Sequence, residues 1–311
     1  MRIVFMGSPA LACPSLEGLS AVHDVVAVVT QPDRPQGRRL RPAASAVKTC
    51  AVERGYAVLT PEHVNDPESV GQIAAVEPDL IVVVAFGQIL KPALLAMPPH
   101  GCINLHTSLL PAYRGAAPIQ WAIARGETET GVTTMFMSAG LDEGDIIAQT
   151  TVAIGAEETA GNLHDRLAVV GAGLLARTVA AVQDGSAAAR AQDHTAATYA
   201  PRLNKADGKM DWNLPAVELH NRLRGFTPWP GSFCTSPPGR RLAVLEARPE
   251  MNDSASLPEP GTVLAVDGDG PLVQTGTDAL RLVTVQPEGK RALPGAEYLR
   301  GYPTQAGDRM G

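Results

Sequence analysis

Apolar residues run in blocks through the first half of the chain, with polar and glycine-rich breaks between them. RIVFM (2–6), DVVAVVT (24–30) and DLIVVVAFG (79–87) are continuous apolar runs, the pattern of strands buried on both faces of a parallel sheet. CINLHT (102–107), GVTTMFM (131–137) and IIAQTTVAI (146–154) read as further strands, and 57–59 as a weak one. Segments with helical spacing lie between them: about 45–54, 67–76, 117–125 and a long one over 158–183. Gly7-Ser8-Pro9 closes the first strand and opens a helix, with proline suited to a first helical turn. Strand–helix alternation with apolar strands predicts an α/β fold: a doubly wound, mostly parallel, Rossmann-like sheet.

The pattern changes near residue 184. Residues 191–212 carry no period and read as a connecting segment. One short helix over 214–224 is followed by five short strands punctuated by Gly and Pro: 231–236, 240–248, 261–268, 270–276 and 279–287. Short strands at near-regular spacing predict a small β-barrel or sandwich. The expected organisation is therefore an α/β domain over 1–189, a linker over 190–208 and a β-barrel domain over 209–311.

Composition narrows this picture without changing it. The chain has 311 residues, 45% hydrophobic and 19% charged, enough to bury a core in each of two domains. It holds no run of eighteen apolar residues, so no membrane span is expected. The start, MRIVFMGSPA, reads as strand and turn rather than as a secretory leader. Cys13, Cys50, Cys102 and Cys234 are scattered with no CxxC pair, which fits free thiols in a reducing, cytoplasmic compartment. A net charge of −6 excludes blanket attraction to nucleic acid but leaves room for a local basic patch.

Candidate chemistry concentrates in GCINLHTSLLPAYRGAAPIQ (101–120). The glycine turn at 7–9 is not a dinucleotide fingerprint, because Ala10 and Ala12 stand where glycines are needed. Side chains alternate along a strand, so Cys102, Asn104 and His106 share one face. Neighbours on that face lie roughly 6.5–7 Å apart, too far to converge on one metal ion at about 2.0–2.3 Å. Ser108 lacks the GxSxG elbow of a hydrolase nucleophile. A carboxylate in the glycine-flanked loop GLDEGDI (140–146) changes the reading of Asn104 and His106. It can orient the imidazole, while the amide and the ring donate to an oxygen that turns negative. Such a trio suits acyl transfer from an activated donor to an amine, with no covalent nucleophile and no metal.

INLHTSLLPAYRGAAPIQWA, followed 36 residues after His106 by Asp142 of LDEGD, resembles the 10-formyltetrahydrofolate-dependent formyltransferases. Similar segments span nearly the whole chain: VTQPDRPQGR (29–38), DLIVVVAFGQIL (79–90), TGVTTMFMSAGLDEGDI (130–146) and FTPWPGSF (226–233). The resemblance implies catalytic roles for Asn104, His106 and Asp142. It assigns the folate cosubstrate to Ser108, Leu109, Leu110 and Pro111, to Phe86, Gly87, Gln88, Ile89 and Leu90, and to Gly140 and Leu141. The barrel should resemble an oligonucleotide-binding fold. The basic loop and the FTPWP segment are similar to the branch of the family that formylates the α-amino group of initiator methionyl-tRNA for translation initiation. A cytoplasmic monomer with no membrane partner is expected.

The loop QPDRPQGRRLRPAASAVK (31–48) holds Arg34, Arg38, Arg39, Arg41 and Lys48 against one acid, Asp33. It is long for a βα connection and follows a strand on the side where such sheets bind ligands. By resemblance it is the tRNA acceptor-stem loop, although related loops read GRGKK and SPVK where this one reads GRRLR and SAVK. Lys205 and Lys209 join it as expected tRNA contacts. Arg222, Arg224, Arg240, Arg241, Lys290 and Arg291 are candidates for a basic face on the barrel side.

Overall fold

The structure, a computed structural model, describes residues 1–36, 41–252 and 257–311, without the side chains of Gln36 and Arg41. The described chain forms two compact units: residues 1–118, 129–153 and 164–200 in the first, and 119–128, 154–163 and 201–311 in the second.

The first elements are β1 (Arg2–Gly7), α1 (Cys13–Ser20), β2 (Asp24–Val29), β3 (Arg34–Gln36), β4 (Arg41–Ala43), α2 (Ala46–Glu53) and β5 (Val58–Leu59). Next come α3 (Pro67–Ala74), β6 (Leu80–Val84), α4 (Pro92–Leu95), β7 (Cys102–His106), β8 (Arg114–Gly115) and α5 (Pro118–Ala124). Then follow β9 (Glu129–Phe136), β10 (Ile146–Ala153), α6 (Ala160–Asp184) and β11 (Tyr199–Ala200). Seven strands make one sheet in the order β10-β9-β7-β6-β1-β2-β5. The run from β5 to β7 is parallel, and β9 and β10 add an antiparallel edge. The chain leaves β1 toward β2 and β5, then returns to the other side at β6. That reversal makes the carboxyl ends of β1 and β6 the topological switch point, where open α/β sheets bind ligands.

Both faces of the sheet are covered, as the unbroken apolar strands require. One face packs Val4, Met6, Ile81 and Val83 with Ile73 of α3 and Leu94 of α4. Leu105 faces the other way, against α6, where a Cβ on Gly171 would stand 2.8 Å from its Cδ2. Thr134 of β9 meets Thr178 of α6 at 2.8 Å between hydroxyls. By length and composition α6 could cross a membrane, although it contains no unbroken run of eighteen apolar residues. Its Leu167, Leu174, Leu175 and Val179 are buried, as in the core helix of a globular unit.

Residues 190–200, aperiodic in sequence, are pinned within the first unit. Arg190 bridges Ile146, and β11 pairs with β8 in parallel. Gly115 is required there: its φ is +114°, and a Cβ would stand 2.7 Å from the Ala200 carbonyl oxygen. The basic loop departs from the expectation of an irregular connection, because β3 and β4 form a hairpin with Arg34 opposite Ala43 and Gln36 opposite Arg41.

The second unit contains α7 (Ala216–Gly225), β12 (Ser232–Ser236), β13 (Arg240–Glu250), β14 (Val263–Asp267), β15 (Gly270–Gln274), β16 (Ala279–Pro287), β17 (Leu293–Pro294) and α8 (Gly295–Gly301). Its antiparallel sheet runs β12-β13-β16-β15-β14, with β17 on β16. The edge strands β12 and β14 are joined by the final residues. Val263 exchanges backbone bonds with Gly307 and Asp308, and Thr235 with Gly311, so residues 307–311 seam the sheet into a barrel. Leu242, Val244, Val273, Leu280, Leu282, Trp212 and Tyr298 fill its core. Trp212 is thus a packing residue, whereas Trp229 is half exposed. Arg224 is no surface cation: it is buried, donating to the Gly155 and Glu158 carbonyls at 3.1 Å and to Asn221 Oδ1 at 2.7 Å. Arg222 pairs with Glu218, and Arg291 with Glu297.

Candidate active site

His106 is the last residue of β7, at the carboxyl edge of the sheet beside β6. Asn104 stands two residues earlier on the same face, in register with Val83 and Met135. Both side chains are buried. His106 Nε2 lies 2.9 Å from the Tyr113 carbonyl oxygen. A carbonyl can only accept, so Nε2 carries a proton and the ring orientation is fixed. Nδ1 then points to Asp142 Oδ2 at 3.6 Å. With a second proton on Nδ1 the pair is ionic; without it, Nδ1 is a lone pair able to take one.

Asp142 is held from both ends. Its Oδ2 accepts from the Gly115 backbone N–H at 2.8 Å, and its own backbone is left-handed at φ 52°. Ala85 and Tyr113 also have positive φ, so three of the five described non-glycine residues in that region lie beside this strand edge. Non-glycine residues held there cost about 1–3 kcal/mol each and persist only where surrounding bonds enforce them. Gly144 is close-packed: a Cβ would stand 1.8 Å from the Phe136 carbonyl oxygen, so only glycine lets the 137–145 loop turn back here.

Other expected site residues divide into those that build walls and those that face outward. The loops after β1, β2 and β6 are stitched together at the Phe86 carbonyl, which accepts from Ser8 Oγ and Gln31 Nε2, each at 3.1 Å. Phe86 and Leu90 are buried in the core, and the Gln88 amide is engaged by the Val64 N–H and Pro61 carbonyl. Gly87 turns at φ 89°. Ile89 and Leu141 are exposed, at 70% and 55%, and offer apolar surface. The Ser108 hydroxyl donates to the Ala112 carbonyl at 2.6 Å, shaping its own turn rather than facing solvent. Thr133 Oγ1 bonds the Ser108 carbonyl and the Leu110 N–H, and Gln149 Nε2 bonds the Leu110 carbonyl; these bonds set the course of 108–111, including Leu109 and Pro111. Gly140 begins the Asp142 loop. Cys102 shares the Asn104 face but donates toward the Leu94 carbonyl, and burial pushes its thiol up to about 12.

The expected tRNA cations are distributed differently from Asn104, His106 and Asp142. Arg34 pairs with Glu62 and Lys48 with Asp33, both at 2.7 Å, so each carries a local counter-charge. Arg38 and Arg39 lie outside the described residues, as does the Arg41 side chain. Lys205 and Lys209 are exposed in the second unit; Lys205 opens, and Lys209 follows, a short 3-10 turn capped by Asn204 and Asp207.

Four residues that sequence reasoning left without a role converge on the trio. Tyr113 supplies the carbonyl for His106, and its N–H donates to Thr198 Oγ1 at 2.8 Å. Arg114 and Gln192, both buried, join the Asp142 loop to residues 192–200. Only Arg114 had a local signal, standing before glycine in RGAAPI.

Residues 1–179 match the formyl transferase family, and residues 202–303 match the C-terminal domain of formyl transferases. A methionyl-tRNA formyltransferase of Geobacter metallireducens is 46% identical across 100% of this chain and 99% of its own length. The enzyme of the same name from Moorella thermoacetica is 46% identical with the same coverage. Among solved structures, the sugar 3N-formyl transferase WlaRD, crystallised with dTDP and 5-N-formyl-THF, superposes with a TM-score of 0.67 at 17% identity, covering 94% of this chain and 99% of that one. HypX from Aquifex aeolicus in complex with tetrahydrofolic acid gives 0.60 at 19%, covering 100% of this chain and 50% of that one. These two share the fold.

Proposed function

The chain belongs to the formyl transferase family, and from that premise we propose that it transfers the formyl group of 10-formyltetrahydrofolate to the α-amino group of initiator methionyl-tRNA. The products are formylmethionyl-tRNA and tetrahydrofolate. The observation that carries this reading is the His106–Asp142 pair: a ring fixed at Nε2 by a carbonyl, with Nδ1 facing a clamped carboxylate at 3.6 Å.

The donor supplies an activated formyl carbon, so the chain's residues need only position, stabilise and move protons. The incoming amine adds to that carbon, and its oxygen gains negative charge. Asn104 and the Nδ1 edge of His106 answer that charge. Nε2 is committed to Tyr113, so Nδ1–H is the ring's available donor, and its 3.6 Å separation from Asp142 leaves the proton open to sharing with the substrate oxygen. Asp142 stabilises the imidazolium and receives the proton the amine loses. Collapse expels the folate nitrogen, which takes up the proton that Asp142 received from the amine. Ile89 and Leu141 offer apolar surface for the pterin, and the 108–111 turn forms the wall beside it.

Whole-length relatives named for methionyl-tRNA favour that acceptor over an amino sugar. The basic 31–48 loop and the barrel, which a small acceptor does not need, support the same choice. The protein acts as a cytoplasmic monomer on a folate and a charged tRNA, with domains over 1–189 and 209–311. Transfer of labelled formyl groups to methionyl-tRNA, uncharged tRNA, free methionine and a dTDP-amino sugar tests it. Label on the sugar alone, or formate released without acceptor, overturns the assignment.

A further inference from the structure

Gln192 sits in an aperiodic stretch that carries no chemistry of its own, yet its side chain is 6% exposed and fully engaged. Oε1 accepts from Arg114 Nε at 3.2 Å and Nη2 at 2.7 Å. Nε2 donates to the Asp142 carbonyl at 2.9 Å and the Gly144 carbonyl at 2.7 Å. An amide has two donors and two acceptor sites, and this one uses all four. The partners fix its orientation, since a flip would aim the amide oxygen at two carbonyls and the amino group at a guanidinium. Arg114 is itself 2% exposed and braced by His194 Nδ1 at 3.3 Å. One of the two carbonyls that Gln192 holds belongs to Asp142, the residue that takes the left-handed turn, and the other lies two residues on.

We propose that Gln192, oriented by Arg114, is a positioning residue for formyl transfer: it fixes the backbone that aims the Asp142 carboxylate at His106. The inference rests on the role given to Asp142 above. The geometry specifies an amide and nothing else. A carboxylate at 192 keeps the Arg114 contact but sets negative oxygens against the Asp142 and Gly144 carbonyls. An apolar side chain removes the donor from both carbonyls and leaves the buried Arg114 with its His194 contact but without the Gln192 acceptor.

Gln192→Glu therefore separates positioning from packing, because it retains the buried Arg114 link while releasing the loop. Its kcat, with saturating folate and methionyl-tRNA, should fall about 10- to 100-fold, the scale of a ~1 Å misplacement. Affinity for tRNA should stay unchanged, and the melting temperature close to wild type. The deciding measurement is a double-mutant cycle with Asp142→Asn. A residue that acts through Asp142 has little left to lose once the carboxylate is gone, so Gln192→Glu should change kcat less than threefold in that background. Gln192→Met, which drops all four bonds and adds no charge, is the second variant and enters the same cycle if Gln192→Glu does not fold. Wild-type kcat in a folded variant overturns the inference. So does an equal loss in both backgrounds, or failure of both variants to fold. If Asp142→Asn alone keeps wild-type kcat, the role of Asp142 has failed, which is a different result.

Discussion

Replacing Asp142 by Asn removes one charge and almost no volume. The carboxylate oxygen is 3.6 Å from His106 Nδ1, and the two side chains are 13% and 7% exposed. At an effective dielectric of about 20, a unit charge pair at that separation attracts by about 4.6 kcal/mol. Each ~1.4 kcal/mol lost from the transition state is a tenfold loss in rate, so complete removal corresponds to about 10³-fold. The amide recovers part of this through its dipole, and its oxygen can still accept from the Gly115 N–H. That oxygen is also the atom 3.6 Å from Nδ1, so the ring faces a neutral amide acceptor in place of the carboxylate, and the charge that balances a ring donating to the developing oxyanion is gone. We expect kcat to fall by ~10²–10³-fold, with the KM for folate changing much less. Asp142→Ala should lose more, because the Gly115 bond goes too. The assay is steady-state formyl transfer with both substrates varied. A kcat within threefold of wild type would refute the reasoning, whatever happened to KM.

The other expectations are shorter. Gly144→Ala places a methyl 1.8 Å from the Phe136 carbonyl oxygen, so the loop must shift; kcat should fall at least ~10-fold with a lower Tm, and an unchanged kcat would show that the loop position does not matter. Arg281 grips Glu250 through two bonds and Asp267 through one, which holds both carboxyls below their ordinary values. Their stabilisation is present above about pH 4 and lost as pH falls through the folded values, so Arg281→Met should flatten the acid limb of a Tm-versus-pH curve for the barrel. Burial raises Cys13 to about 11 and Cys102 and Cys234 to about 12, so iodoacetamide at pH 8 should label native protein far more slowly than unfolded chain, with Cys13, the partly exposed one, first. Changing Arg38, Arg39 and Arg41 to Ala should flatten the log–log salt dependence of tRNA affinity by up to ~3 units with folate affinity unchanged; equal slopes would remove the loop from the tRNA interface.

The sheet was legible because its strands carry their own signal. β1, β2 and β6 are continuous apolar runs, and burial on both faces leaves no other pattern. Asp142 stood out because a carboxylate between glycines in a connecting loop has no packing reason to be there. β8 and β11 were not legible, since a two-residue strand has no period and depends on a partner 85 residues away. The β3–β4 hairpin was hidden by Pro35 and Pro42, which signal a break although here they sit opposite each other in register. Gln192 left no trace, because its importance lies wholly in what it meets in space. The seam formed by residues 307–311 was equally silent: GDRMG has neither strand composition nor alternation.

That seam has a consequence for the order in which the chain can be made. Translation delivers β12 some seventy residues before Gly311, which pairs with it, and β14 about forty before Gly307 and Asp308. The sheet from β12 to β14 can therefore form on the ribosome, but both margins keep unpaired backbone groups until residues 307–311 emerge. The first unit faces no such wait, since all its strands are synthesised by residue 200. Unpaired sheet margins are where chains stick to one another. A product stalled or released before residue 307 would thus carry a finished first sheet and an open, adhesive second one, and quality-control proteases would meet that half first.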